Sequence, residues 1–169
     1  MTIWLTGISG AGKTSIAQSF YEIVKPKRPE LVYLDGDAIR DLYGNTLGFH
    51  EEARREQIGR IQRLASFLGL QNIPVIVAAL YCHPELMEWN RRNLKNYFEV
   101  YVDTPLEVVK ERDIKGLYSK AERGEMSNVV GLDIPWHRPE KPDLVLETNE
   151  NNTPKQLAIQ LIEQLKIRL

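Results

Sequence analysis

Several common features are scarce in this sequence, and each scarcity excludes a class of protein. The single cysteine, Cys82, excludes an internal disulfide and fits a reducing compartment, so we expect a cytoplasmic protein. No apolar run approaches the ~20 residues that span a bilayer, and no basic leader with a cleavage site precedes the first apolar segment. We therefore expect no membrane partner.

A charge excess of one sign is also missing. The chain has 22 Lys and Arg residues against 23 Asp and Glu residues, which gives a formal net charge of -1. Because such a chain has no long-range attraction for polyanions, we expect no nucleic-acid partner, and any phosphorylated ligand must meet locally placed cations. A length of 169 residues with 43% hydrophobic side chains predicts one globular domain over residues 1–169.

Short apolar runs alternate with longer helical patterns, which is typical of a parallel α/β sheet. The predicted strands are Ile3–Thr6, Leu31–Leu34, Ile73–Ala79, Tyr97–Val102 and Leu144–Leu146. The predicted helices cover about 13–24, 51–70 and 85–95, and two more begin at capping boxes that start at Thr104 and Thr153. The predicted fold is a five-stranded parallel sheet with helices on both faces.

One long stretch, residues 113–141, lacks periodicity and carries Gly, Pro and many charges. An irregular stretch of this length inside a compact domain is usually functional. We therefore predict a mobile lid over about 113–141.

The strongest motif is a phosphate-binding loop (P-loop) between the first predicted strand and helix. The segment G-I-S-G-A-G-K-T matches G-x-x-x-x-G-K-[ST] in full, and its glycines let successive backbone N–H groups point at phosphate oxygens. The start of the helix adds its positive dipole end. The predicted nucleotide-binding residues are Gly7, Ile8, Ser9, Gly10, Ala11, Gly12, Lys13 and Thr14. Lys13 should reach the β- and γ-phosphates of ATP, and Thr14 should bind Mg²⁺.

The acid that completes the metal site is not in its usual place. The third predicted strand ends in A-A-L and offers no carboxylate, so Asp35 and Asp37, at the end of the second strand, are the candidate metal ligands with Thr14. Ligands in open α/β sheets bind beyond the carboxyl ends of the strands, where this turn and the P-loop should meet. One carboxylate can hold the metal through water while the other, Asp37, accepts the proton of an attacking hydroxyl. An ordinary acidic turn is the alternative.

At this point the motifs resemble a known family, the adenylyl-sulfate kinases. The family's strand, W-L-T-G and P-loop resemble the segment Ile3–Ala17. Its motif L-D-G-D-N-x-R resembles Leu34–Asp37 with Arg40. Its motif L-G-F-S…D-R-x-E-N resembles Leu47–Phe49 with Arg54. Further segments that look like family motifs are Tyr101–Pro105, Glu111–Asp113, Lys115–Tyr118 and Lys141–Leu144. The resemblance runs collinearly from Ile3 to about Glu147.

This resemblance implies a P-loop kinase that uses ATP and Mg²⁺ to phosphorylate a ribose 3′-hydroxyl of a small nucleotide acceptor. It also implies that Lys13 and Asp37 are the catalytic residues. Members of the family are often dimers, so the resemblance leaves a homodimer as a possible partner arrangement. The implied acceptor-binding residues are Arg40, Phe49, Arg54 and Gln57, with Lys115 and Lys120 in the lid. His50 replaces a family serine beside Phe49 and is a further candidate acceptor contact.

The departures from the family cluster on the acceptor side. Ala38 and Gln57 replace asparagines, Tyr81 replaces a serine, Pro84 replaces an arginine, and Val129 replaces an aromatic that flanks the adenine. Three functions therefore stay open: an adenylyl-sulfate kinase, a kinase of another conjugate such as cytidine diphosphate phosphoramidate, and a nucleotide-binding regulator without turnover. We expect a lost face of the adenine clamp, which Val129→Phe should restore.

The remaining reactive side chains are expected to have no role in catalysis or metal binding. Cys82 is expected to be a spectator thiol, and His83 and His137 are expected to be loop residues rather than metal ligands, since no partner lies at ligand spacing. Trp136 is expected to pack in its loop. No base is apparent near Tyr81, so we expect direct transfer without a phosphoenzyme.

Overall fold

The computed structural model describes residues 1–113, 116–149 and 151–166, which form five strands and seven helices among them. The strands are β1 (Thr2–Thr6), β2 (Val32–Asp35), β3 (Val75–Ala78), β4 (Tyr97–Asp103) and β5 (Leu144–Glu147). The helices are α1 (Lys13–Val24), α2 (Gly36–Leu42), α3 (Glu51–Leu70), α4 (Pro84–Asn93), α5 (Leu106–Arg112), α6 (Leu117–Glu122) and α7 (Pro154–Gln164).

The strands form one sheet in the order β2-β3-β1-β4-β5, with every neighbouring pair parallel. Strand β1 lies at the centre, between β3 and β4. Because the strands run in one direction, the P-loop after β1 and the acidic turn after β2 emerge at the same edge of the sheet. The predicted five-stranded parallel sheet is confirmed.

Alternating side chains of the strands supply two hydrophobic layers, one on each face of the sheet. Ile3 and Leu5 of β1 pack in a core cluster with residues of α1 and α7, whereas Trp4 packs in a second cluster with residues of α3 and α4. Successive strand residues point to opposite faces, so a sheet buried on both sides needs a continuous apolar run. The sheet is therefore covered by helices on both faces.

The predicted ends of several elements are confirmed by their local bonds. At α7, the Thr153 side chain accepts from the backbone N–H of Gln156, whose side chain accepts from the Thr153 N–H, so the capping box is present. Helix α1 begins at Lys13, directly after Gly12, whose φ of 93° is one that glycine tolerates. The P-loop therefore turns into a helix N-terminus as the motif predicts.

Three local predictions were wrong. The acidic turn after β2 continues as the short helix α2, with Asp35 as its N-cap, and helix α6 lies inside the stretch predicted to be irregular. Helix α5 has no side-chain cap, because the Thr104 hydroxyl instead contacts the Thr148 hydroxyl and lies 3.4 Å from the Ala11 carbonyl oxygen. Thr104 thus fastens the end of β4 to the P-loop.

Over the described residues, none of the helices has both the length and the apolar character that crossing a membrane requires.

Candidate active site

The P-loop folds tightly against the neighbouring strand β4. A Cβ atom on Gly7 would lie 2.5 Å from the carbonyl oxygen of Val102, so no side chain fits there. The buried Lys13 donates hydrogen bonds from Nζ to the carbonyl oxygens of Gly7 and Ile8, both at 2.8 Å. These bonds hold the ammonium group under the curve of the loop, where a phosphate would be bound.

An open cavity of about 250 Å³ lies beside this loop. Most of its walls come from the P-loop, the acidic turn and the segment around α6. The residues that line the cavity include Ser9, Gly12, Lys13, Thr14, Asp35, Asp37, Asp113 and Tyr118. The two motifs that the sequence placed at one edge of the sheet therefore share a single cavity.

The carboxylate of Asp35 lies directly against the P-loop. Its Oδ2 accepts hydrogen bonds from the Thr14 hydroxyl and from the Tyr33 hydroxyl, both at 2.9 Å, while Oδ1 accepts from the backbone N–H of Asp37 at 2.9 Å. Burial, followed by the bond to Asp35, raises the pKa of Tyr33. Tyr33 therefore remains a donor that orients Asp35, a role that the sequence alone did not indicate.

Thr14 and Asp35 form an all-oxygen pair that suits Mg²⁺. Magnesium prefers one or two carboxylates or hydroxyls together with phosphate oxygens and water. Asp37 follows in the first turn of α2 and is exposed to the same cavity. The donor set thus fits the predicted ion, and a second carboxylate lies within the same turn.

The predicted acceptor-binding arginines are both engaged with the loop before α3. Arg40 donates from Nη1 to the carbonyl oxygens of Leu47 (2.8 Å) and Gly48 (3.0 Å), and its guanidinium lies 4.6 Å from the centre of the Phe49 ring. Arg54 donates from Nε to the Phe49 carbonyl oxygen at 2.7 Å. The structure therefore brings Arg40, Phe49 and Arg54 together, with the Phe49 ring 56% exposed.

Arg54 also reaches the segment predicted to be a lid. Its Nη2 donates to the carbonyl oxygen of Asn128 at 2.6 Å. Burial and the nearby Arg40 lower the pKa of Arg54. Arg54 therefore links α3 to the lid.

Gln57 is buried at 5% exposure, next to the acidic turn. Its amide nitrogen donates to the Gly36 carbonyl oxygen at 3.1 Å, and among the described residues its Oε1 has no hydrogen-bond partner. Gln57 thus supports the backbone between the two aspartates, rather than standing at the mouth of the cavity.

The lid segment contacts the P-loop through a tyrosine that the sequence reading missed. The Tyr118 hydroxyl donates to the Ser9 carbonyl oxygen at 3.0 Å. Asp113 holds the start of α6 by accepting from the backbone N–H groups of Tyr118 and Ser119. A side-chain hydrogen bond with Ser119, followed by the backbone bonds, lowers the pKa of Asp113 to about 2. Lys120 is exposed on α6 and does not line the cavity, whereas Lys115 lies outside the described residues.

Val129 does not face the acceptor side, contrary to the expectation of an open clamp. Its side chain is 1% exposed and packs in the same core cluster as Ile8 and Tyr118. The neighbouring Gly131 has φ 94°, and a Cβ there would lie 2.7 Å from Ile8 Cδ1. This part of the lid is packed onto the P-loop, and Val129 is buried within that packing.

The segment after β3 also differs from expectation. The Tyr81 hydroxyl donates to Glu51 Oε1 at 2.7 Å, so a carboxylate does lie beside this phenol. Burial first, and then this bond, raise the pKa of Tyr81, and the residue is 2% exposed. Cys82 is buried, its thiol donates to the His137 carbonyl oxygen at 2.6 Å, and burial raises its pKa to about 12, as expected for a spectator.

The three histidines divide between helix capping and a side-chain cluster. His50 caps α3, and its Nδ1 lies 2.9 Å from Glu52. His83 caps α4 and packs near His137, with ring centres 5.0 Å apart. His83 and His137 therefore lie together beside Glu51, which the sequence did not indicate. Trp136 packs 6.3 Å from the Tyr101 ring, in agreement with loop packing.

Comparison with known proteins decides the family. Residues 1–147 match the profile of the family described as adenylylsulphate kinase. The chain belongs to the adenylylsulphate kinase family. It is 39% identical to an adenylyl-sulfate kinase of Deinococcus deserti over 165 residues, covering 98% of this chain and 91% of that protein. It is 38% identical to a cytidine diphosphoramidate kinase of Campylobacter jejuni, covering 98% of this chain and 96% of that protein.

Solved structures agree with this family assignment. The chain superimposes on an APS kinase from Mycobacterium tuberculosis, described in complex with AMPPNP and APS, with a TM-score of 0.89 and 33% identity, covering 98% and 97% of the two chains. Membership of the adenylylsulphate kinase family makes this protein an ATP-using phosphotransferase with a P-loop kinase fold. The identity of the acceptor is a separate question, because relatives of similar identity have different names.

Proposed function

We propose that this protein transfers the γ-phosphoryl group of Mg-ATP to the ribose 3′-hydroxyl of adenylyl sulfate. The observation that carries the proposal is the 2.9 Å bond between Thr14 and Asp35 inside the cavity of the P-loop. It sets a metal-binding oxygen pair beside the phosphate-binding loop, in a member of the adenylylsulphate kinase family.

The reaction needs positioning and charge neutralisation more than covalent chemistry by the protein. Backbone N–H groups of the P-loop, together with Lys13, would bind the ATP phosphates. Thr14 and Asp35 would hold Mg²⁺, with Asp37 assisting, and the ion when bound neutralises charge on the phosphoryl oxygens. The exposed carboxylate of Asp37 would accept the proton of the attacking 3′-hydroxyl.

The acceptor would lie over the Phe49 ring, between the two arginines that flank it. An exposed aromatic face suits base stacking, and guanidinium groups suit the anionic end of a nucleotide conjugate. Arg40 and Arg54 now bond backbone carbonyl oxygens, so acceptor binding would exchange some of these bonds. Gln57 would belong to the acceptor set through its buried Oε1, beside the acidic turn. Lys115 and Lys120 would complete the set from a lid that moves over the site.

Several broader features belong to the same proposal. We infer one kinase domain over residues 1–169 with a mobile lid at about 113–141, acting in the cytoplasm. Dimer formation is proposed from the resemblance to the family alone. Light scattering of the purified chain at increasing concentration would show whether its mass is that of one chain or of two.

A second acceptor is favoured by specific residues. The relative named a cytidine diphosphoramidate kinase matches nearly the full length of both chains. The acceptor side also carries the changes at Ala38, Tyr81, Pro84 and Val129, and Val129 packs in the core, so it offers no second face to an adenine. Cytidine diphosphoramidate is therefore the alternative substrate for the same phosphoryl transfer.

The test is product identification by phosphorus NMR after incubation with Mg-ATP and each acceptor in turn. The proposal expects ADP together with adenylyl sulfate phosphorylated at its 3′-hydroxyl. A product formed only from cytidine diphosphoramidate would replace the acceptor and retain the reaction. ATP binding without any product would instead favour a nucleotide-binding regulator.

A further inference from the structure

We propose that Glu51, His83 and His137 form a binding site for a transition-metal ion of the Zn²⁺ class. The three side chains each offer one ligand atom, and these atoms lie within 4.8 Å of one another. Two imidazoles and one carboxylate are a ligand set that Zn²⁺ uses in proteins, with a fourth position left open. This inference requires neither the phosphoryl transfer nor a particular acceptor.

The ligands come from three segments that the fold brings together. Glu51 is the first residue of α3, His83 is the N-cap of α4, and His137 lies near the end of the lid segment. All three side chains are intermediate between buried and exposed, so an ion could reach them without unfolding the chain. A metal here would join the end of the lid to two helices of the same layer.

The spacing is that of an open site rather than a closed one. Ligand bonds of 2.0–2.1 Å in a tetrahedron set ligand atoms about 3.3 Å apart. Since the ligand atoms lie within 4.8 Å of one another, each pair would approach by at most about 1.5 Å, which rotamer adjustments of the three side chains can supply. The imidazole rings of His83 and His137 are already in an edge-to-face arrangement, at 5.0 Å between centres.

Residues around the cluster orient its ligands as an outer shell does. The Tyr81 hydroxyl donates to Oε1 of Glu51, which leaves the other carboxylate oxygen for an ion. His83 Nδ1 accepts from the backbone N–H of Glu85 at 3.3 Å and lies 3.9 Å from the Glu85 carboxylate. Metal binding through Nε2 therefore requires the other tautomer, in which Nδ1–H turns to that carboxylate. The Cys82 thiol fixes the backbone of His137. Such outer-shell partners set the tautomer and the orientation of metal-binding imidazoles.

The local charge permits a cation. Arg55, a cation beside the cluster, forms an ion pair with Glu85, which offsets its positive charge. The Thr14–Asp35 pair contains only oxygen ligands and suits a harder ion, so the two sites should select different metals.

The test is a Co²⁺ and Zn²⁺ titration of the chelator-treated full chain without nucleotide. Co²⁺ bound by two imidazoles and a carboxylate in a tetrahedron absorbs in the visible range, and Zn²⁺ should displace it. We expect one ion per chain, with a Zn²⁺ Kd of about 1 μM or below, which corresponds to about -8 kcal/mol.

Variants assign the signal to the cluster. Glu51→Gln keeps an acceptor for Tyr81, His83→Asn keeps a cap for α4, and each should weaken Zn²⁺ binding at least about a hundredfold. His137→Ala should do the same. The matched control is His50→Asn, which replaces the cap of α3 without touching the cluster and should leave the affinity unchanged.

Circular dichroism of each variant separates loss of a ligand from loss of the fold, and one folded ligand variant suffices. Absence of stoichiometric binding to the wild-type chain would overturn the proposal. So would binding that persists in folded Glu51→Gln and His83→Asn variants, or binding that Asp35→Asn abolishes.

Discussion

The nucleotide side of this cavity is formed mainly by backbone groups, whereas the acceptor side is formed mainly by side chains. The P-loop presents backbone N–H groups, and its one long cation, Lys13, is held by two carbonyl oxygens within the same loop. The acceptor side depends on side chains from distant segments, such as Arg54, which bonds Asn128 across 74 positions. Backbone recognition needs only one short motif, whereas side-chain recognition changes with each substitution. The departures from the family motifs noted in the sequence, such as Ala38 and Tyr81, fall on the second side.

The largest expected effect falls on the nucleotide side. Lys13→Ala and Asp37→Asn should each lower turnover by about 10²–10³-fold, because each removes a group that acts on the reacting charge or the metal. Thermal unfolding of both variants should show that the fold is kept. An Asp37→Asn rate within about threefold of wild type would break the assignment of the acidic turn.

The metal pair gives the next effect. Asp35→Asn should lower kcat by about 10²-fold and raise the Mg²⁺ concentration needed for half-maximal rate, because the Thr14–Asp35 pair loses its charge. The measurement is the rate as a function of Mg²⁺ at saturating ATP. Asp41→Asn is the matched control. This exposed carboxylate of α2 accepts from the Asn45 side chain at 2.7 Å and lies outside the residues that line the cavity, so its loss should leave that curve unchanged. Equal curves for wild type and Asp35→Asn would contradict the assignment.

On the acceptor side, the structure predicts that Val129→Phe lowers stability, whereas the sequence predicted that it raises activity. Val129 is fully packed, so Val129→Phe should overfill the core at a cost of about 1–3 kcal/mol and lower the Tm by about 2–4 °C per kcal/mol. The control is Val145→Phe, the same change at a valine that is 39% exposed. A Val129→Phe variant with unchanged Tm and a higher kcat/KM for adenylyl sulfate would restore the adenine-clamp interpretation.

The smallest expected effect concerns Tyr81, which should not become labelled with phosphate. Tyr81 is buried, and its pKa is raised, so it should not be phosphorylated during turnover. Incubation with γ-labelled ATP and no acceptor should leave the chain unlabelled, and Tyr81→Phe should behave in the same way. Stoichiometric label on Tyr81, transferred to product when acceptor is added, would contradict direct transfer.

Much of the fold and of the nucleotide side could be predicted because the signals are local. The P-loop motif between a strand and a helix, and the capping box at Thr153, each specify a structure within a few residues. These features depend on backbone conformation, which short segments determine.

The missed features depend on contacts between distant residues. Thr104 matches a capping box, yet its hydroxyl is engaged with Thr148 and Ala11. Tyr118 could not be linked to Ser9 from spacing alone, because 109 positions separate them. Likewise, His83 and His137 have no ligand partner nearby in sequence and meet only in the folded chain.

The most direct test of the account is kcat/KM for adenylyl sulfate and for cytidine diphosphoramidate, measured by ADP release with Lys13→Ala as the blank. The account predicts turnover of adenylyl sulfate at about 10⁴–10⁶ M⁻¹s⁻¹, in the lower half of the usual range for enzymes, because its acceptor side is altered. Rates for both acceptors that do not exceed the Lys13→Ala blank would contradict it.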